Sequence, residues 1–356
     1  MVEMAARLGG DEFTVILPNL ECEADAGLVA QRIEEHLSQP IDLGGHQLIV
    51  TPSIGIALFP QDGETVELLL KNADLAMYFA KNIGPSTFKY YQESMNAAAL
   101  KRLTIENQLR QATEREEFLL YYQPQFDLLT RQPVGMEALL RWNNRELGAV
   151  PPIDFIPIAE ENGLIIGIGE WVLSTACRQA VVWLDQGIPL KRIAVNVSVK
   201  QFIHPNFLQM IQKVLTDTAL EPNRLEIEIT ESLLAQDPKT IASTLHALKQ
   251  MRVRIAVDDF GTGYSSLSRL KDMPIECLKI DRSFICGIEN GQSDQSIISA
   301  IIAMAESMDL EVIAEGVETT RQVDFLIGQQ CLEAQGFLFS RPLSSIQAEA
   351  FLQRSA

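Results

Sequence analysis

No stretch of the 356-residue sequence stays apolar for the roughly 18 residues that a bilayer crossing needs; the longest runs are of the kind Ile297 to Ala305, with Ser299 inside. No basic segment leads into an apolar one after Met1 either, so the pattern predicts neither a membrane span nor a secretory signal, and a cytoplasmic chain is expected. Cysteine is sparse: Cys22, Cys177, Cys277, Cys286 and Cys331 are odd in number, scattered and free of any CxxC pair. That excludes a disulfide framework and a cysteine-built zinc site, and predicts reduced core residues. Positive charge is short as well, with 29 Lys and Arg against 47 Asp and Glu and a formal net charge of -18. Such a surface repels polyanions and excludes general binding to DNA or RNA, so an anionic ligand must be met by local cations. What remains is a chain 47% hydrophobic and long enough for about two domains with real cores.

Residues 1–93 alternate short units: Phe13 to Leu17 is β-like, Ala24 to Leu37 has helical spacing, Leu48 to Phe59 is β-like and Thr65 to Lys81 is helical. An α/β segment is expected there. Residues 94–117 turn polar and helix-favouring, without Gly or Pro and with Leu100, Leu103 and Leu109 on roughly one face, which predicts a connecting helix. Over residues 118–356, β-rich runs recur about every 30 residues between helical stretches: Leu119 to Tyr122, Val134 to Leu140, Ile193 to Val197, Leu225 to Ile229, Val253 to Val257, Cys277 to Ile280, Glu311 to Ala314, and a last one near Gln335 to Phe339. Eight strands with intervening helices are the arithmetic of a (β/α)8 barrel of the TIM type, whose active sites gather at the C-terminal strand ends.

Those strand ends carry acids and amides. Glu137, Asn196, Glu228, Asp258 with Asp259, Asp281 beside Lys279, and Glu315 each close an apolar run. One acid in such a place is more often a helix cap or a surface charge. Five or six successive strands ending so are hard to explain as separate accidents. Converging on one mouth they could not all stay ionised without a counter-charge, because like charges a few ångströms apart raise each other's pKa. Oxygen donors, with none of His36, His46, His204 or His246 beside them, favour Mg²⁺ or Mn²⁺ over zinc.

In motif after motif from about Leu119 onward, the sequence resembles the EAL family of cyclic di-GMP phosphodiesterases. The matching segments are Glu137-Ala138-Leu139-Leu140-Arg141, Asn196-Val197-Ser198, Glu228-Ile229-Thr230-Glu231-Ser232, Asp258-Asp259-Phe260-Gly261-Thr262-Gly263-Tyr264-Ser265-Ser266, Lys279-Ile280-Asp281, Ala314-Glu315-Gly316-Val317-Glu318-Thr319 and Gln335-Gly336-Phe337. The resemblance implies two Mg²⁺ or Mn²⁺ ions per active site and hydrolysis of cyclic di-GMP to linear pGpG. It implies a first metal held by Glu137, Asn196, Glu228 and Asp258, and a second by Asp258, Asp259 and Glu315. Lys279, helped by Asp281, would position or activate the water. Gln123, Arg141, Asp154, Phe155, Glu318 and Gln335 would contact substrate, and Glu231 would tether the loop from Asp259 to Ser266. The family usually has a glycine where Gln330 stands before Cys331. A homodimer through the barrel and an upstream sensor domain are further expectations of the resemblance.

Residues 7–92 resemble the second half of a GGDEF domain, a ferredoxin-like, nucleotide-cyclase-like fold, in Gly9-Gly10-Asp11-Glu12-Phe13, Ser53-Ile54-Gly55-Ile56-Ala57 and Ala73-Asp74-Leu75-Ala76-Met77-Tyr78. Glycines would let a nucleotide approach the backbone while Asp11 and Glu12 face metal and ribose. With the family's upstream half not in this sequence, a partial, inactive or regulatory domain is expected. Two alternatives stay open for the barrel: a catalytically silent cyclic di-GMP receptor of the same fold, marked by lost ligands or a broken loop, and a metal-dependent hydrolase of another phosphodiester.

Overall fold

A computed structural model describes residues 4–84, 86–234, 238–262, 270–289 and 291–355. Among them no helix is long and apolar enough to cross a membrane. The chain divides into two compact units, Met1–Thr104 and Ile105–Ala356, with the division inside the helix Ser94–Ala112.

In the first unit, β1 (Met4–Gly9) and β2 (Glu12–Ile16) form an antiparallel hairpin that turns at Gly10 and Asp11. The helix Glu23–Leu37 follows, then a second small hairpin of β3 (Ile41–Leu43) and β4 (His46–Leu48). The expected single β run from Leu48 to Phe59 is broken: only β5 (Ser53–Ile56) forms beyond β4. It pairs in parallel with β6 (Thr87–Tyr90), a strand that the sequence pattern does not mark, across the helix Val66–Ile83. Thr65 caps that helix by accepting a hydrogen bond from the Leu68 N–H at 3.2 Å.

The helix Ser94–Ala112 stops short of the predicted residue 117, and its leucines do not share a face. Leu109 is buried with Ile105 and Ala112, whereas Leu100 and Leu103 are exposed. At about 100° per residue, nine positions turn the helix by two and a half turns, so Leu100 and Leu109 point oppositely.

The second unit is a closed eight-strand barrel: β7 (Phe118–Asp127), β8 (Pro133–Asn144), β10 (Arg192–Asn196), β11 (Leu225–Thr230), β12 (Arg254–Phe260), β13 (Cys277–Ile280), β14 (Glu311–Ala314) and β15 (Glu333–Ala334), with β15 returning to β7. Short strands β9 (Gly148–Val150) and β16 (Leu343–Ser344) flank it. It departs from the ideal barrel in one respect: β7 is antiparallel to β8 and to β15. Antiparallel neighbours need only a tight turn, which is why no helix separates β7 from β8. The last strand lies at Glu333–Ala334, ahead of the expected Gln335 to Phe339.

Side chains alternate across each strand. Outward ones, such as Ile193, Val195, Ile227, Val257 and Leu278, pack against the surrounding helices in the main core. Inward ones form layers. Arg192, Glu226, Arg254, Glu311 and Glu333 occupy the N-terminal strand ends, Ala256, Cys277 and Ile313 make a small separate apolar cluster, and the acids predicted from the sequence sit at the C-terminal ends. Of the cysteines, Cys177, Cys277 and Cys331 are core residues as expected; Cys22 and Cys286 are exposed.

Candidate active site at the C-terminal strand ends

Period-two alternation places Glu137, Asn196, Glu228, Asp258 and Lys279 on the inner wall of the barrel, each two residues beyond an inward-facing neighbour. Glu315 follows β14 directly, with its N–H bonded to the Ile280 carbonyl at 3.1 Å. Alternation alone would send Asp258 and Asp259 to opposite faces. Asp259 escapes it by adopting a left-handed backbone (φ 53°), where the pairing register with β13 also slips. Its carboxylate then joins Asp258 and Glu315, with ligand atoms of all three within 4.8 Å of one another. A non-glycine residue held in this region marks a position that its surroundings over-determine.

Lys279 is the hub. Its wholly buried ammonium lies 2.7 Å from a carboxylate oxygen of Glu228 and of Glu315, 3.4 Å from Asp258 and 3.8 Å from Glu137. Burial alone would depress the lysine; the surrounding acids, Asp258 foremost, outweigh it and hold the group cationic, well above its ordinary range. The acids move the other way. Burial first, and then neighbouring carboxylates against the opposing pull of Lys279, push Glu315 up to about 8 and Glu228 well above the usual carboxylate range. Burial and the adjacent Asp258 raise Asp259 to about 6.

One lysine does not satisfy five carboxylates. Both carboxylate oxygens of Glu228 are buried without a hydrogen-bond partner, because the close approach of Lys279 is an ion pair lacking hydrogen-bond geometry. Orphaned, all-oxygen donors of this kind fit hard divalent cations. The Asn196 amide donates from Nδ2 to Glu137 Oε1 at 2.6 Å, and Gln335 Nε2 donates to Glu137 Oε2, so the Glu137 carboxylate is gripped from both sides. Gln335 Nε2 also reaches Gln123 Oε1 at 3.1 Å, and Gln123 Nε2 donates to the Ser340 carbonyl at 3.1 Å.

Above these groups opens a cavity of about 220 Å³ lined by Gln123, Glu137, Asp258, Glu315, Glu318 and Gln335, and also by Arg282, Gly316, Gly336 and Phe337. Arg282 carries no sequence signal as strand-end acids do, since an exposed Arg looks alike anywhere, and Phe337 comes from the matching Gln335-Gly336-Phe337 segment without having been expected at the site. A wider surface groove of about 480 Å³, lined by residues such as Gln212, Leu215 and Met251, holds Glu221 as its one charged side chain among the described residues and gathers no reactive cluster among them.

Several predicted residues stand apart from the cavity. Arg141 is half-buried, donates to the Leu140 carbonyl at 2.8 Å and lies 5.6 Å from the Tyr121 ring centroid. Asp281 caps the helix Arg282–Gly287, accepting from the Ser283 N–H at 2.9 Å. Asp154 lies partly exposed in the first turn of the helix Pro152–Glu161. Phe155 corrects the expectation of a substrate contact: it is fully buried, its ring 6.1 Å from Phe118 and 5.4 Å from Trp142. No face of it is open to a ligand. Glu231 accepts from the Gly261 N–H at 2.9 Å, in the position expected of a loop tether, while residues 263–266 of that loop lie outside the described residues. In the first unit Gly9, Gly10, Asp11 and Glu12 are all exposed on the hairpin.

The sequence model of the EAL domain matches residues 106–342, and that of the "Diguanylate cyclase, GGDEF domain" matches residues 2–87. The chain is 44% identical over 342 residues to the bifunctional diguanylate cyclase/cyclic di-GMP phosphodiesterase MucR of Pseudomonas aeruginosa, covering 96% of this chain and 50% of that protein. It is 38% identical to the cyclic di-GMP phosphodiesterase NbdA of the same organism, over 99% of this chain and 45% of the relative. The chain thus spans about half the length of the curated relatives it matches. Among solved structures, the PaMucR phosphodiesterase in its c-di-GMP complex superposes with a TM-score of 0.67 at 44% identity, over 69% of this chain and 99% of that one.

Proposed function

This chain belongs to the EAL domain family, and from that premise we propose that its barrel hydrolyses one phosphodiester of cyclic di-GMP to linear pGpG with two Mg²⁺ or Mn²⁺ ions. The observation that carries the proposal is the acid cluster of Asp258, Asp259 and Glu315 beside the unpartnered, buried carboxylate of Glu228. Glu137, Asn196, Glu228 and Asp258 would hold one ion, and Asp258, Asp259 and Glu315 the other. When bound, such a pair supplies an activated water at neutral pH and neutralises charge on the phosphoryl oxygens.

The chain's own residues do the rest. Asn196 and Gln335 fix the plane of the Glu137 carboxylate, so it presents its oxygens without rotamer search. Lys279, cationic among four acids, holds them at close range and offers an ammonium to the attacking water and the charge it develops. Asp281 adds an acid beside Asp259, and Glu231 pins the turn that follows it. Gln123, Glu318 and Gln335 line the cavity where the dinucleotide would lie. Arg141 would meet a phosphate and Asp154 a guanine edge from the flanking elements. We read the first unit as regulatory, the protein as cytoplasmic and the barrel as a dimerisation surface.

The deciding experiment incubates the purified chain with cyclic di-GMP and Mg²⁺ or Mn²⁺, with and without EDTA, and follows pGpG by chromatography. Metal-dependent pGpG is expected. Binding of the dinucleotide without any metal-dependent product would instead identify a silent receptor.

A further inference from the structure

The cavity is walled by Glu137, Asp258, Glu315 and Glu318, and its lining includes one cationic side chain among the described residues, Arg282. A cyclic dinucleotide carries two phosphodiester charges, and only one of them is cut. The acid cluster with its metals, deep in the barrel, accounts for the scissile phosphate. Lys279 is wholly buried and already faces four carboxylates, so it has no charge to spare for the second, and Arg141, which would meet a phosphate from β8, lies outside the cavity lining, its head on the Leu140 carbonyl. We propose that Arg282 is a further substrate-binding residue, whose guanidinium receives the phosphodiester that is not cut. The proposal rests on the reading of the barrel as a cyclic di-GMP hydrolase.

Arg282 is held in place before any ligand arrives. It follows β13, the strand that carries Lys279, so its backbone starts at the same rim. Its stem lies across Gly316: a Cβ at that position would come within 2.2 Å of Arg282 Cγ, and the glycine backbone is left-handed (φ +70°). Only glycine leaves this bed open. The head donates from Nη2 to Glu318 Oε1 at 2.7 Å, and its central carbon lies 6.0 Å from the Phe337 ring centroid. Arg341 packs on the same ring at 4.5 Å, which steadies Phe337 as the arm's backstop. Yet the Arg282 side chain remains 57% exposed. A guanidinium has five N–H donors in a planar fork, more than one carboxylate oxygen can use, and the remainder can address a phosphate. Glu318, with a further contact to Cys286, thus orients the arm without using all five donors, and pre-orientation reduces the ordering cost of binding.

The test compares wild type, Arg282→Ala and Arg282→Lys in steady-state hydrolysis, and in equilibrium binding of cyclic di-GMP with Ca²⁺ in place of Mg²⁺. Arg282→Ala is expected to raise KM and Kd about tenfold or more while kcat stays within about twofold, as removal of a charge-assisted contact made equally in ground and transition states requires. Arg282→Lys keeps the charge and is expected to recover part of the loss, with a benefit that shrinks as salt is raised. Unchanged KM and Kd in Arg282→Ala, a fall in kcat at constant KM, or equal losses in the Lys and Ala variants would each overturn the assignment. If wild type binds but makes no pGpG, the hydrolase reading fails, while the Kd comparison still decides on Arg282. If wild type hydrolyses and Arg282→Ala behaves identically, the inference about Arg282 alone fails. Absence of any wild-type binding overturns both.

Discussion

At the N-terminal end of the barrel interior, Arg192 reaches Glu226 at 3.3 Å and also Glu333, while Arg254 reaches Glu226 at 3.1 Å and Glu311 at 2.6 Å. At the C-terminal end, Glu137, Glu228, Asp258, Asp259 and Glu315 gather around Lys279, the one cation that pairs with them among the described residues. Both ends are acidic, but in the first every carboxylate has a guanidinium, and in the second five carboxylates share one lysine. Gln125 joins the first end by accepting from Arg192 Nε at 2.9 Å, although its own Nε2 and Glu226 Oε1 make no hydrogen bond there. A network balanced in charge needs no further ion; an unbalanced one is stabilised by charge supplied from outside the chain. The contrast separates a structural plug from a site kept short of cations.

The sharpest way to break that contrast is to neutralise one acid at the catalytic end. Glu228→Gln is expected to lower turnover by at least about 10³-fold, read as pGpG formed per minute. In EDTA the same variant is expected to raise stability, by roughly 1 kcal/mol in urea unfolding, because a carboxylate whose folded pKa is raised costs stability at neutral pH and Lys279 keeps three other partners. A loss of stability would show that this end is as balanced as the other.

At the opposite end the sign reverses. Arg192→Leu leaves Glu226 and Glu333 facing each other with one cation fewer, and a destabilisation of about 3–5 kcal/mol is expected by urea or thermal unfolding. A change under 1 kcal/mol would dissolve the distinction drawn above.

Two smaller effects sharpen the frame around both ends. The helix Thr320–Gly328 closes with Gln330 N–H on the Ile327 carbonyl at 3.0 Å and Cys331 N–H on the Leu326 carbonyl at 3.0 Å, which puts Gln330 in the left-handed region (φ 65°). This is the place where the sequence departs from the family's usual glycine. Gln330→Gly is expected to stabilise the fold by about 0.5–1 kcal/mol, checked by thermal unfolding. At the β7–β8 turn, Asp127 accepts hydrogen bonds from the Thr130 N–H and hydroxyl and from the Leu129 N–H; the Thr130 N–H foremost holds its carboxyl below the ordinary value. A depressed folded pKa contributes stability above the unfolded value of about 3.9, and that contribution is lost as pH falls through the folded one. The stability gap between wild type and Asp127→Ala should therefore be constant from pH 7 to about 5 and close below about pH 4. A gap independent of pH would remove the carboxylate from the account.

Most of this architecture was legible before any coordinates because two periodicities carry it. Strand-ending acids are conspicuous when apolar runs recur at regular intervals, and Glu137, Glu228, Asp258, Lys279 and Glu315 all lie where that pattern puts them. What escaped depends on backbone geometry or exposure, which residue type does not encode. The antiparallel β7 has the same apolar composition as a parallel strand. The left-handed turn that swings Asp259 to its neighbours is invisible in the letters Asp258-Asp259. Phe155, beside an acid in a matching motif, reads equally as ligand contact or core, and packing decides for core. Arg282 enters the site at the first turn of the helix that follows β13, and Phe337 on the turn that follows β15.

Between the two ionic ends of the barrel lies the small apolar cluster of Ala256, Cys277 and Ile313. It gives the two ends separate neighbours: no side chain is shared between them, so one can be tuned for permanence and the other for exchange. Substitutions on either side should then combine additively, and the catalytic mouth can be redrawn by mutation without renegotiating the foundations that hold the strands in a ring.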